Sequence, residues 1–229
     1  MTAAEVDRRI EQLLAERPQL HTRGNQVVDY GIDAYLVGFL REHVAAGQRT
    51  IETGSGLSTL VFLLMGGEHT AVSPDPKEPE RIGAYCDTHG IPRARYTPIV
   101  GQSELVLPAL PRTPGFDLAF IDGEHAFPVP GIDWFYLTRV LKKGGILIVD
   151  DLQLWSCRML ADFMDEEEVW RRVTRTERVA AYRLLDEPDA VLRRWWGAQR
   201  YVTRRSKSWT RLRIEKRLFR LARRVGLMQ

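Results

Sequence analysis

Residues 115–152 read GFDLAFIDGEHAFPVPGIDWFYLTRVLKKGGILIVDDL. Two apolar runs, Leu118-Ala119-Phe120-Ile121 and Ile146-Leu147-Ile148-Val149, each end in acid: Asp122 after the first, Asp150-Asp151 after the second. Runs this short and continuous suit strands buried on both faces. Between them Ile132, Phe135, Tyr136, Val140 and Leu141 fall at helical spacing, and Gly144-Gly145 is expected to stop that helix. The stretch therefore reads as a β-α-β unit with acids at the carboxyl ends of two strands, the edge where open α/β sheets bind ligands. Three carboxylates converging there repel one another unless something positive lies between them, and a hard divalent cation suits oxygen donors.

The same alternation extends in both directions. Strands are expected over 49–53, 69–73 and 95–100, with helices over 58–65 and around Ile82 and Tyr85 between them. Downstream, a helix over 154–164 and a hairpin of 169–176 with 179–185, turning at Glu177-Arg178, complete the set. Upstream, Val6, Ile10, Leu13 and Leu14 mark one helix, and residues 29–46 a second. Strands alternating with helices imply a parallel sheet with right-handed crossovers.

The first strand of this series runs into Glu52-Thr53-Gly54-Ser55-Gly56-Leu57-Ser58 and then a helix. Glycines at such a turn let the backbone approach a ligand, and the helix amides that follow receive its polar groups. Thr59 stands where a dinucleotide fingerprint has its third glycine, and the Lys-Ser/Thr end of a P-loop is absent. A tight turn without a ligand remains the alternative at this point.

The order of elements, ETGSG after the first strand, and IDGEH and VDD at the fourth and fifth strand ends together resemble a class I S-adenosylmethionine-dependent methyltransferase over roughly residues 25–186. The resemblance implies a Rossmann-like α/β fold: a seven-stranded, mostly parallel sheet with a reversed last strand and helices on both faces. It implies that Glu52, Thr53, Gly54, Ser55, Gly56 and Ser58 hold the methionine end of the cofactor. The acid that usually ends the second strand and binds the ribose is replaced by Ser73, so Asp75 is expected to take its place. Near the adenine, Gln102 and Ser103 stand where an acid is common.

Asp122, Asp150 and Asp151 resemble the metal site of cation-dependent O-methyltransferases of the catechol, caffeoyl-CoA and macrolide-sugar types. Those families place a base three residues after the first aspartate, which here is His125. The resemblance implies Mg²⁺ or a similar cation on the three aspartates, with Asp122 and His125 catalytic. A bound cation acidifies a coordinated hydroxyl, and an imidazole titrating near neutrality takes the proton. The same aspartates also suit loop and helix capping, and His125 an ordinary loop hydrogen bond. Phe127, Trp134 and Trp155 suit either a pocket wall or core packing.

Composition bounds the alternatives. The 229 residues suffice for one sizeable α/β domain. The two cysteines, Cys86 and Cys157, belong to no disulfide framework or zinc motif, and a cytoplasmic protein is the default expectation. The N-terminus is charged too early for a signal peptide, and no apolar run is long enough for a membrane span. Charge is unevenly placed: residues 189–229 hold 13 Lys and Arg against Asp189 and Glu215, a net +11, which leaves −8 on the rest of a chain totalling +3. Within that tail Ile214, Leu218, Leu221 and Val225 repeat at helical spacing among arginines and lysines, the pattern of a basic amphipathic helix. Self-docking or a homo-oligomer, an anionic membrane with a peripheral seat for the protein, and nucleic acid are its candidate partners, in that order.

These readings divide the chain into N-terminal helices over the active site (1–46), a methyltransferase domain (47–187) and a basic helical tail (188–229). The expected activity is O-methylation of a small hydroxylated acceptor such as a sugar, a phenol or a glycolipid. An RNA or protein methyltransferase guided by the tail, and a cofactor-binding interaction protein without turnover, are the alternatives.

Overall fold

The computed structural model describes residues 1–23, 26–28, 31–113, 115–206, 208, 214, 217 and 218. Two units are distinguished, Met1–Leu192 and Arg193–Gln229.

The first unit begins with α1 (Ala3–Glu16), whose N-cap Thr2 accepts the Glu5 amide, as capping requires. A short antiparallel ribbon follows, β1 (His21–Arg23) with β2 (Gln26–Val28). Next come α2 (Ala34–His43), β3 (Arg49–Thr53), α3 (Leu57–Leu64), β4 (Glu68–Ser73), α4 (Glu78–His89) and β5 (Tyr96–Val100). The short α5 (Ser103–Val106) leads to β6 (Phe116–Ile121), α6 (Val129–Val140), β7 (Leu141–Val149) and α7 (Trp155–Glu166). The hairpin β8 (Trp170–Arg175) and β9 (Ala180–Leu184) and the short α8 (Pro188–Leu192) complete the unit.

Seven strands form one sheet in the order β5-β4-β3-β6-β7-β9-β8. The pairs β3–β4, β4–β5, β3–β6 and β6–β7 are parallel, and β9 runs antiparallel to both of its neighbours. The expected seven-stranded, mostly parallel sheet with one reversed strand is what forms. Alternate residues of the central strands face opposite layers. Leu118, Phe120, Ile146 and Ile148 join a core with α1 to α4, whereas Ala119, Ile121, Leu147 and Val149 join one with α6 and α7. Helix α3 is buried along its whole length. Among the described residues no helix is long and apolar enough to cross a membrane.

Three local expectations are corrected. Helix α6 ends at Val140, and Gly144-Gly145 lies inside β7. The reason is Leu141, which is fully buried, caps the helix with its N–H on Leu137 O and turns extended at once. A Cβ on Gly145 would stand 2.8 Å from Leu141 Cδ1, so this glycine makes room for a side chain rather than ending a helix. Phe135, expected inward, is 39% exposed, while Asp133, Leu137 and Thr138 take the buried side of α6. Helix α2 starts only after Asp33, whose carboxylate caps the Tyr35 and Leu36 amides.

The second unit contains a 3₁₀ turn (Trp196–Ala198) and α9 (Arg200–Arg205). Of the expected amphipathic helix, Ile214, Arg217 and Leu218 are helical and exposed. Leu221 and Val225 lie outside the described residues.

The order β4-β3-β6 makes β3 and β6 the place where the chain switches sides, and ligand crevices open at such points. Asp122 N donates to Thr53 O at 3.1 Å, and Asp150 N to Ile121 O at 3.1 Å, which ties the carboxyl ends of β3, β6 and β7 together. Gly54 has φ +89°, and a Cβ there would fall 2.3 Å from Asp122 O. Strain and a backbone clash combine at this position. Gly54→Ala is expected to cost about 1–3 kcal/mol in urea denaturation. A variant as stable as the parent would show that these strand ends are not locked together.

Candidate active site

The edge built by these ends carries most of the chemistry-bearing residues. Asp122 leaves β6, and Asp150 and Asp151 leave β7. Asp150 is 4% exposed and its Oδ1 accepts the Asp151 amide at 2.7 Å. Asp151 adopts φ +56°, a left-handed conformation that acidic and amide side chains tolerate better than most. Its Oδ1 is taken by Gln153 Nε2 at 2.6 Å and by Arg178 Nη2 at 3.1 Å. Its Oδ2 lies 3.4 Å from His125 Nε2, which is itself 3.9 Å from Asp122 Oδ1.

Asp122, His125 and Asp151 thus offer one donor atom each within 4.8 Å of one another, the geometry of a cation site. The structure groups His125, expected as the base, with two of the three expected metal aspartates, while Asp150 stands outside that group. His125 Nε2 is buried without a hydrogen-bond partner, an uncommon state for a polar atom that marks the spot as incomplete. Burial first, and then the charges of Asp150, Glu52 and Asp151, push the Asp122 carboxyl well above the ordinary range. Burial also raises Asp150. An oxygen-rich, anionic set with an orphaned imidazole nitrogen fits a divalent cation.

The glycine turn lies beside this group. Gly54 contacts the Asp122 backbone, as above. Gly56 is covered by His21: a Cβ there would stand 2.6 Å from His21 Nε2. Glu52 is fully buried and is engaged from within the protein, by Ser58 Oγ at 2.7 Å, by Thr59 Oγ1 and by His69 Nε2 at 3.0 Å. Glu52 and Ser58 therefore hold the turn to α3 and β4. Thr53 is buried, and its Oγ1 has no hydrogen-bond partner. Gln102 is exposed at the start of α5, and Ser103 beside it is buried.

The place at the end of β4 is organised differently from expectation. Asp75 pairs with Arg81 and accepts the Lys77 amide at 2.9 Å, closing the turn into α4. Glu78 is the acid that reaches the glycine turn. One of its oxygens accepts from Ser55 Oγ and Ser73 Oγ, and the other lies 2.9 Å from His21 Nδ1. Glu78 is 8% exposed. Burial raises its pKa, but the hydrogen bonds from His21, Ser55 and Ser73 outweigh this and hold it below the ordinary 4.5. Sequence reasoning missed Glu78 because an acid in a helix's first turn is commonplace there. It missed His21 because nothing near residue 21 signalled a ribbon. Arg178 was seen only as a turn residue.

Aromatic side chains flank the acids. Phe127 and Trp155 are 74% and 72% exposed, and Ser156 Oγ donates to His125 O, tying the β6 loop to α7. Trp134 instead meets Phe163 edge-on at 5.1 Å. Tyr35 Oη meets Thr174 Oγ1, which brings the start of α2 to the same sheet edge.

Residues 51–152 match a family model described as a methyltransferase domain. No curated protein sequence matches the chain. Among solved structures it is similar to cofactor-bound Rv0187 from MTB, at 18% identity and TM-score 0.58 over 79% of this chain and 89% of that one. It is also similar to the O-methyltransferase TomG of Streptomyces achromogenes in complex with SAM, at 15% identity and TM-score 0.59 over 76% and 90%. An O-methyltransferase from Bacillus cereus in complex with SAH aligns at 13% identity and TM-score 0.56 over 78% and 90%. At these identities the likeness is one of fold.

The Glu78 shift has a direct consequence. Its folded pKa lies below the unfolded value, so its stabilisation is present above pH 4.5 and is lost as pH falls through the folded pKa. Glu78→Gln should flatten the decline of stability below pH 4.5, measured by denaturant melts across pH. An unchanged acid limb would show that the His21, Ser55 and Ser73 contacts leave Glu78 unperturbed.

Proposed function

We propose that this chain, whose residues 51–152 match a methyltransferase-domain model, transfers the methyl group of S-adenosylmethionine to a hydroxyl of a small acceptor with the help of a divalent cation. The observation that carries the reading is the convergence of Asp122, Asp151 and the orphaned His125 Nε2 beside the glycine turn.

Asp122 and Asp151 would hold the cation, and Arg178 and Gln153 turn Asp151 so that its second oxygen faces the cleft. When bound, the cation lowers the pKa of a coordinated hydroxyl, and the sulfonium of the cofactor supplies a methyl that needs no further activation. The rest is work of the chain. His125 would accept the hydroxyl proton at Nε2 while the acceptor oxygen takes the methyl group, the leaving bond pair remaining on the donor sulfur. With Gly54 and Gly56 packed on Asp122 and His21, the turn would meet the cofactor through the amides opening α3, which would receive its polar groups. Glu78, set between Ser55 and Ser73, would accept the ribose hydroxyls in the role expected of Asp75. Gln102 and Ser103 border the adenine side. Phe127 and Trp155 offer an apolar rim to the acceptor, which suits a ring carrying vicinal or isolated hydroxyls. Orientation is then the main contribution, because collinear placement of oxygen, carbon and sulfur removes entropy from the barrier.

Mg²⁺ or Mn²⁺ should raise the melting temperature of the parent by mass action and leave that of Asp151→Asn unchanged. Asp122→Asn should itself be more stable than the parent at pH 7 without cation. Its raised folded pKa means that the unfolded chain ionises first as pH rises, so the charged carboxylate costs stability at neutrality. His125→Gln should keep the cation-induced shift and lose about 10²–10⁴-fold in turnover. Loss of both together would assign His125 as a ligand. Equal melting curves for the parent in EDTA and in Mg²⁺, with unchanged turnover, would remove the cation from the mechanism. Glu78→Ala should weaken S-adenosylhomocysteine binding about tenfold or more by calorimetry, the worth of a hydrogen bond to a charged group.

A further inference from the structure

The second unit offers features that methyl transfer does not use. Trp195 and Trp196 are 67% and 51% exposed, with ring centroids 5.2 Å apart. They stand on a 3₁₀ turn where Gly197 has no side chain, and a Cβ there would fall 2.4 Å from the Trp195 ring. The turn therefore presents two neighbouring indoles to solvent at small cost in strain. Helix α9 follows with the sequence RYVTRR, none of it buried. Farther along, Ile214 and Leu218, one helical turn apart, are 54% and 61% exposed. The unit's sequence holds 13 Lys and Arg against Glu215 alone, a net +12 over residues 193–229.

We propose that the segment from Arg193 onward is a docking surface for an anionic lipid bilayer. The indoles and aliphatic side chains enter the headgroup boundary while the arginines meet lipid phosphates. Each half of that description excludes a rival. Nucleic acid would satisfy the arginines but leave Ile214 and Leu218 in water. A second copy of the chain would cover the apolar side chains, but the net −8 of its first 188 residues is spread far more sparsely than the phosphates of an anionic leaflet. Many acids of the first unit already face cations of their own, among them Asp75 with Arg81, Asp117 with Lys142, and Asp165 with Arg175. A bilayer interface accepts both kinds of side chain, since tryptophan prefers the headgroup level and clustered Arg and Lys are drawn to anionic leaflets.

The test uses the full-length protein and flotation with two vesicle preparations, phosphatidylcholine alone and phosphatidylcholine with one lipid in three replaced by phosphatidylglycerol. The protein should float with the anionic vesicles and not with the neutral ones, and should be released as salt shortens the Debye length below about 10 Å. Trp195→Ala/Trp196→Ala and Arg200→Gln/Arg204→Gln/Arg205→Gln should each lower the apparent vesicle affinity about tenfold. Both should keep the parent's S-adenosylhomocysteine affinity, which shows that the first unit is intact. Equal flotation with neutral and anionic vesicles overturns the proposal. So does absence of flotation, whether accompanied by retention on single-stranded RNA or by dimers that the tryptophan variant dissolves.

Discussion

The carboxyl ends of β3, β6 and β7 are held in register by two backbone hydrogen bonds, Asp122 N to Thr53 O and Asp150 N to Ile121 O. That register forces like charges together. A sheet whose central strands are buried on both faces cannot slip to relieve the repulsion, because a one-residue shift would turn Phe120 or Ile121 into the wrong core. The fold thus sustains an unfavourable concentration of carboxylates from its own packing. Burial first, and then the neighbouring carboxylates, raise the Asp122 pKa, so part of that shift records the cost. Sites that concentrate charge in this way are commonly functional, and here a cation would lower the cost and gain a use for it.

Two buried glutamates near the glycine turn have divided their tasks. Glu52 is surrounded by donors from its own framework, and the His69 ring that meets it stacks on Phe62 at 4.4 Å and receives or gives a hydrogen bond with Thr50 Oγ1 at 2.7 Å. Its carboxylate is spent on joining β3, α3 and β4. Glu78 instead gathers three separate chain segments: the ribbon through His21, the glycine turn through Ser55 and the end of β4 through Ser73. All three partners are side chains from a ribbon, a turn or a strand end rather than from one rigid element. Each of those hydrogen bonds offsets part of the cost of burying the Glu78 charge.

Much of this was legible in advance, for identifiable reasons. Continuous apolar runs ending in acid located β6 and β7 and thereby the sheet edge, since strand burial and strand termination both leave marks in the sequence. The hairpin of β8 and β9 followed from alternation. The end of α6 did not, because two adjacent glycines look like a terminator whether they end a helix or clear space for Leu141. Nor does sequence show which acids the geometry gathers: Asp122, His125 and Asp151 form one group, and Asp151 joins it from a left-handed backbone. Glu78 and His21 meet across 57 residues, and no local pattern encodes a contact at that separation.

Arg178 shows how the last element of the sheet bears on the first. Strand β8 brings the chain to the edge where β7 ends and β9 leaves from it, so the hairpin turn lies there, and the Leu152 amide donates to Arg178 O at 2.8 Å, which binds the loop after β7 to that turn. The guanidinium then neutralises one oxygen of Asp151 from outside while the other faces His125. An arginine held on the outer oxygen offsets part of the repulsion among the aspartates without entering the space between them. The hairpin therefore does more than close the sheet: its turn delivers a positive charge beside the acids that leave β6 and β7. That charge offsets part of the repulsion between Asp151 and Asp122 while Asp151 Oδ2 stays turned toward His125.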